Sequence, residues 1–115
     1  MTSGTVARLR NGRDIATVLQ GRHQRGGRLL GVHRGPGLSD HPARIAVVAS
    51  RRVGGAVQRN RAKRLIREAV QRIDWCPEVD VVIVARRACA HSDLAAVQSE
   101  LGRLAAELEL SREGL

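Results

Sequence analysis

With 115 residues, 43% of them hydrophobic, the chain suits one domain with a modest core, and no run of 18 or so apolar residues offers a membrane span. A formal net charge of +9, from 20 Lys plus Arg against 11 Asp plus Glu, points to a polyanionic partner and sets nucleic acid ahead of a membrane surface. The first residues hold no apolar signal core, which argues against export and for a cytoplasmic location. Cys76 and Cys89 are too isolated for a zinc site and read as free, partly buried thiols, and the four histidines carry no metal spacing.

In chain order, Asn11 is placed to cap a short helix with Ile15, Val18 and Leu19 on one side and Gly21 at its end. The basic, Gly-rich stretch from Gly21 to Gly27 reads as a loop, with room for one short strand near it. Arg28 to His33 is a short apolar strand. The turn-rich segment from Arg34 to Pro42 joins it to a second strand, Ala43 to Ser50, apolar on both faces. Gly54 and Gly55 break the chain. Ala62, Leu65, Ile66, Ala69, Val70 and Ile73 then form one apolar stripe of a helix of about five turns. Pro77 lies in the segment that ends it. The β-branched run Val79 to Ala85 predicts a central strand. Ser92 is placed to cap a last helix, with Leu94, Val97, Leu101, Leu104, Ala105 and Leu108 buried. This order predicts a two-layer α/β (α+β) sandwich with a sheet of three to four strands and three helices. Mixed and antiparallel sheets both fit the pattern. The expected unit is a single RNA-binding domain over residues 1–115, with 1–7 and 110–115 as flexible ends.

Charge is concentrated. Arg51, Arg52, Arg59, Arg61, Lys63, Arg64, Arg67 and Arg72 stand in one segment with a single acid, Glu68, whereas after His91 five acids face two cations. Asn60, Arg64, Arg67 and Gln71 recur at helical spacing opposite the apolar stripe, and Arg61 lies beside them. Such a row can reach successive phosphates, and a helix start after two glycines adds free N–H groups and positive dipole. The competing reading is an ordinary solvated helix face. A solvated face usually mixes signs, and this one barely does.

These residues resemble the bacterial ribonuclease P protein family. Arg59-Asn60-Arg61, Lys63-Arg64 and Arg67-Glu68 match its signature, and Ser50-Arg51-Arg52-Val53-Gly54 and Ala56-Val57 match the segment before it, with Arg for Lys twice. Leu9-Arg10, Asp14 and the strand Asp80 to Arg86 extend the likeness over most of residues 8 to 108. The resemblance implies a fold related to a ribosomal-protein domain, with a left-handed β-α-β crossover against the usual hand. It implies a subunit of ribonuclease P, an endonuclease that hydrolyses precursor tRNA at the 5′ leader. The chemistry would belong to a catalytic RNA, with Mg²⁺ held mainly by that RNA and the substrate and no catalytic residue or metal site in the protein. The implied partners are the ribonuclease P RNA and precursor tRNA, with no membrane and no protein partner required. Arg51, Arg52, Arg59, Asn60, Arg61, Lys63, Arg64 and Arg67 would bind RNA.

The family's leader cleft, between the first helix and the sheet, would involve Ile15, Leu19 and His33. Relatives commonly carry aromatic residues there. This chain has no Phe or Tyr, and its one Trp is Trp75. Ile15 and Leu19 read equally as core packing, and His33 as a plain strand residue. The alternative function is a ribosomal or other structural RNA-binding protein without a role in catalysis. A helix-turn-helix regulator is disfavoured by the β-rich flanks, and a self-sufficient nuclease by the lack of a carboxylate set beside the basic face.

Overall fold

A computed structural model describes residues 6–35 and 41–112. The first element is a short strand, β1 (Val6–Arg8). Asn11 then starts helix α1 (Gly12–Gln20), its side-chain oxygen accepting from the N–H groups of Arg13 and Asp14 at 2.8 and 3.3 Å. The hairpin strands β2 (Gln24–Gly26) and β3 (Leu30–Arg34) follow, then β4 (Ala43–Val48), helix α2 (Ala56–Val70), β5 (Asp80–Ala85) and helix α3 (Leu94–Glu107).

The five strands form one mixed sheet in the order β1-β4-β5-β3-β2. β4 runs parallel to β1 and to β5, while β3 runs antiparallel to β5 and to β2. Helix α2 is the crossover that lets adjacent strands β4 and β5 run parallel. β5 is central, as its β-branched run requires: Val81, Val82 and Ile83 are fully buried. Alternation along the strand divides its residues between two faces. Val81 and Ile83 join Leu30, Val32 and Ile45 in the main core beneath α2 and α3. Val82 points the other way and packs with Ala46, Leu9 and Val18 under α1.

The sheet has five strands rather than three or four. β1 lies where a flexible end was expected, and β2 lies in the basic, Gly-rich segment. Both are three-residue edge strands held by the ladder to a longer neighbour. The other end is also built in. Leu110 is fully buried, the N–H of Cys76 donates to its carbonyl at 2.8 Å, and Arg112 N–H donates to Asp74 O at 2.9 Å. Residues 1–5 and 113–115 lie outside the described residues.

Three element ends also differ from expectation. α2 stops at Val70, before the end of its stripe, where the buried indole of Trp75 donates to the Val70 carbonyl at 2.9 Å; Ile73 stays buried in the following turn. Asp93, not Ser92, caps α3, accepting from Ala96 N–H at 2.9 Å. β3 begins at Leu30 because Glu100 of α3 takes the N–H groups of Arg28, Leu29 and Leu30 at 2.8–2.9 Å. One carboxylate thus closes the β2–β3 turn.

Candidate RNA-binding surface

The loop from β4 to α2 is built to present cations. The Ser50 hydroxyl accepts from Arg52 N–H at 3.3 Å and starts a 3-10 turn, Arg51–Val53. Val53 anchors that turn in the core, leaving Arg51 and Arg52 exposed. Gly54 has a φ of 143°, which side chains rarely adopt, and a Cβ there would stand 3.0 Å from that of Gln58. Gly55 caps α2 without a side-chain hydrogen bond, and no acid lies in the first turn. The first N–H groups of α2 therefore keep their positive end open to an anion.

Along α2, Ala62, Leu65, Ile66, Ala69 and Val70 are buried, as the stripe requires. Asn60, Arg61, Arg64 and Arg67 are exposed; Arg59 and Lys63 are half-buried. Three arginines elsewhere are matched: Arg44 grips Asp80 through two bonds of 2.8 and 2.7 Å, and Arg25 and Arg103 both meet Glu107. Arg51, Arg52, Arg59, Lys63, Arg64 and Arg67 have no acid partner among the described residues. The Nε of Arg59 is buried without a hydrogen-bond partner, so that side chain is held with only part of its fork outward.

Arg61 stands apart. Its Nε donates to Ala90 O and one terminal nitrogen to Ser92 O, both at 2.9 Å. These carbonyls close the 3-10 turn Arg87–His91 that leads into α3. The side chain is a latch between α2 and that turn. The sequence, in which Arg61 and Arg64 look alike, gave no sign of this.

On the other face of the sheet, Ile15 is half-buried against the small apolar group under α1, and Leu19 is 37% exposed. His33 pairs with Val82 across β3 and β5, so it shares this face. Burial holds its imidazole below the ordinary histidine range, and its Nδ1 is buried without a partner. A groove of about 320 Å³ opens at the β1 edge, lined by Leu9, Ile15, Ala46 and Val48 and, from around that edge, by Arg8 and Arg67. Ile15 and Arg67, from distant parts of the chain, meet there; Leu19 and His33 lie outside it.

Sequence reasoning missed two cations beside this face. Arg8 pairs with Ile45 on the opposite face and reaches the groove from around the β1 edge. Arg86 follows Val82 and Val84 at alternate positions and so shares their face. Its guanidinium fills the space above Gly26, with one nitrogen 2.5 Å and the central carbon 3.4 Å from where a Cβ would stand. The alternation was legible; the glycine floor was not. Among the described residues no group of three or more His, Cys, Asp or Glu is placed to hold a metal ion, and no helix is long and apolar enough to cross a membrane. Cys76 and Cys89 are free thiols. Cys89 is fully buried, which pushes its pKa up to about 11.

A family model described as Ribonuclease P matches residues 4–109. The ribonuclease P protein component of Streptomyces bikiniensis is 38% identical over 89 residues, which is 70% of this chain and 72% of that protein. The component of Dehalococcoides mccartyi is 42% identical over 48 residues, covering 42% of this chain and 40% of its own. Among solved structures, the RNase P protein of Staphylococcus aureus superposes with a TM-score of 0.79 at 21% identity, covering 94% of this chain and 100% of that one. That of Thermotoga maritima, in complex with 1-(4-fluorophenyl)-2-thiourea, gives 0.73 at 24%, covering 84% and 95%. At these identities the structural likeness speaks for the fold alone.

Proposed function

The chain belongs to the ribonuclease P protein family, and from that premise we propose how its two basic regions divide the work of the holoenzyme. It is the non-catalytic protein subunit of a tRNA-processing ribonucleoprotein whose other component is an RNA. The loop and helix cations Arg51, Arg52, Arg59, Lys63, Arg64 and Arg67, with Asn60 and the open start of α2, dock on the ribonuclease P RNA. Arg61 contributes by holding α2 in place. The groove and sheet face beside α1, with Ile15, Leu19 and His33, receive the 5′ leader of precursor tRNA. Work in the cytoplasm follows from that substrate.

One observation carries the docking assignment: six cations, Arg51, Arg52, Arg59, Lys63, Arg64 and Arg67, are gathered on the loop before α2 and along that helix with no acid partner among the described residues. Unmatched cations on a rigid helix face lower the repulsion between two polyanions brought together. The residues described do not fit a Mg²⁺ site, because no carboxylate set is gathered near that face. No step through the metal is assigned to the protein; Mg²⁺ belongs to the RNA and the scissile phosphate.

Reconstitution tests this reading. The purified protein is combined with a ribonuclease P RNA and precursor tRNA, and cleavage is followed across a Mg²⁺ series. The protein alone leaves precursor tRNA intact, and with the RNA it lowers the Mg²⁺ needed for 5′ cleavage. A protein that binds the RNA yet leaves that requirement unchanged is a structural RNA binder, and the proposal falls. RNA-free cleavage abolished by a point mutation in the protein overturns it equally.

A further inference from the structure

The sheet face that α1 covers is only half covered. Val18, Ala46 and Val82 are buried there, Val48 and Val84 are half-buried, and Gly26 and Arg86 are exposed. Toward β2 the floor is bare backbone, because Gly26 and Gly31 are direct partners across β2 and β3. Arg86 reaches over this floor from the end of β5, a terminal nitrogen coming within 3.9 Å of where a Cβ on Gly31 would stand. A side chain at Gly26 would occupy the space that the guanidinium now fills. Arg86 makes no side-chain hydrogen bond or ion pair among the described residues; only its backbone N–H is engaged, by Leu29 O at 2.9 Å. It is a planar cation resting on peptide, with no anion of its own.

The composition sharpens the point. Single-stranded RNA is gripped by stacking its bases on planar groups, either aromatic rings or guanidinium planes. This chain has no Phe or Tyr, and its one Trp is 1% exposed and serves the core. Of the planar groups on this face, Arg44 is tied to Asp80 by two hydrogen bonds, His33 is half sunk in the sheet, and Arg86 is exposed. We propose that Arg86, laid over the Gly26–Gly31 floor, is the platform on which one unpaired base of the leader stacks. This rests on the reading that the leader lies on this face. Stacking on a guanidinium adds cation–π attraction and accepts any base, which suits a leader of variable sequence. The positive charge also matches the flanking phosphates.

The test uses the reconstituted holoenzyme and compares its affinity for precursor and mature tRNA. The protein variants are R86A, R86K and G26A, each checked for native circular dichroism. R86K keeps the charge and loses the plane; G26A keeps Arg86 and displaces its guanidinium. A leader series carrying one abasic nucleotide at successive positions completes the set. Wild type prefers precursor tRNA and loses affinity at one abasic position. R86A and R86K each lower the precursor preference about fivefold or more, the range of base stacking, and G26A lowers it in the same direction. In R86A the sensitive abasic position no longer matters. If R86K binds as wild type does, charge alone counts and the platform is wrong. If wild type prefers precursor tRNA but no abasic position matters, the platform is again wrong while the leader reading stands. If wild type does not distinguish precursor from mature tRNA, the leader reading itself falls.

Discussion

Arg61→Ala separates holding the helix from holding the RNA. Arg61 makes two hydrogen bonds of 2.9 Å, to Ala90 O and Ser92 O. Each is worth about 0.5–1.5 kcal/mol net, so their joint loss costs about 1–3 kcal/mol. The low end is favoured because the side chain is exposed and water can replace one partner. For a domain near 100 residues, 1 kcal/mol moves Tm by about 4 °C or somewhat more, so Arg61→Ala lowers Tm by about 4–10 °C. The single indole, Trp75, is buried at the end of α2, which makes fluorescence a direct readout of the melt. Arg64→Ala and Arg67→Ala have no such bonds to lose and melt within about 2 °C of wild type, the scale of a neutral surface change. Binding to ribonuclease P RNA across a salt series inverts the order. Arg64→Ala and Arg67→Ala make the log–log slope shallower by about one unit each, whereas Arg61→Ala keeps the slope. Arg61→Lys cannot bridge two carbonyls with a planar fork and recovers only part of the lost stability. An Arg61→Ala protein that melts with wild type and has a shallower slope refutes the latch and returns Arg61 to the phosphate row.

Leu110→Ala destabilises by about 2–5 kcal/mol in a denaturant titration, because the side chain is fully buried in a segment paired with Cys76; a loss below 0.5 kcal/mol would mean that the C-terminal segment does not dock. Glu100→Ala strands three backbone N–H groups at the β2–β3 turn and costs about 2–4 kcal/mol, read by thermal melting. Cys89 resists thiol reagents in the native protein while half-buried Cys76 reacts first, as counting the labelled sites by mass will show. Its folded pKa is raised to about 11 from 9.0, so the unfolded chain releases this proton first and stability falls as pH climbs from about 9 to 11. Cys89→Ala flattens that part of the alkaline loss in melts at stepped pH.

The parts of the fold legible in the sequence are those whose signal is local. The stripe from Ala62 to Val70 specified α2, and the β-branched run before Ala85 specified the central strand. Asn11 marked the start of α1 through its own side chain. β1 and β2 gave no such signal: three residues carry almost no periodicity, and their pairing energy comes from β4 and β3. For the site, the cations of α2 were legible as a group, but not their division of labour. Arg61 differs from Arg64 only through carbonyls about 30 positions away. Arg86 sat in view at the end of a strand, yet its setting depends on a glycine in a different hairpin. Ile15 and Arg67 meet only because the chain folds around the edge of the sheet.

Glu100 links the last helix to the hairpin in time as well as in space. The β2–β3 turn is local in sequence and could close early, but three of its N–H groups wait for an acceptor 70–72 positions further on. Until α3 docks, those donors face water and the hairpin is a marginal two-stranded piece. Closure therefore belongs to the late, non-local part of folding. In the native protein the Arg28, Leu29 and Leu30 amides share one carboxylate, so hydrogen exchange is expected to release them together when α3 lifts away rather than by hairpin fraying. The edge of the sheet that carries Gly26 and Gly31 is then only as rigid as the docking of the last helix allows.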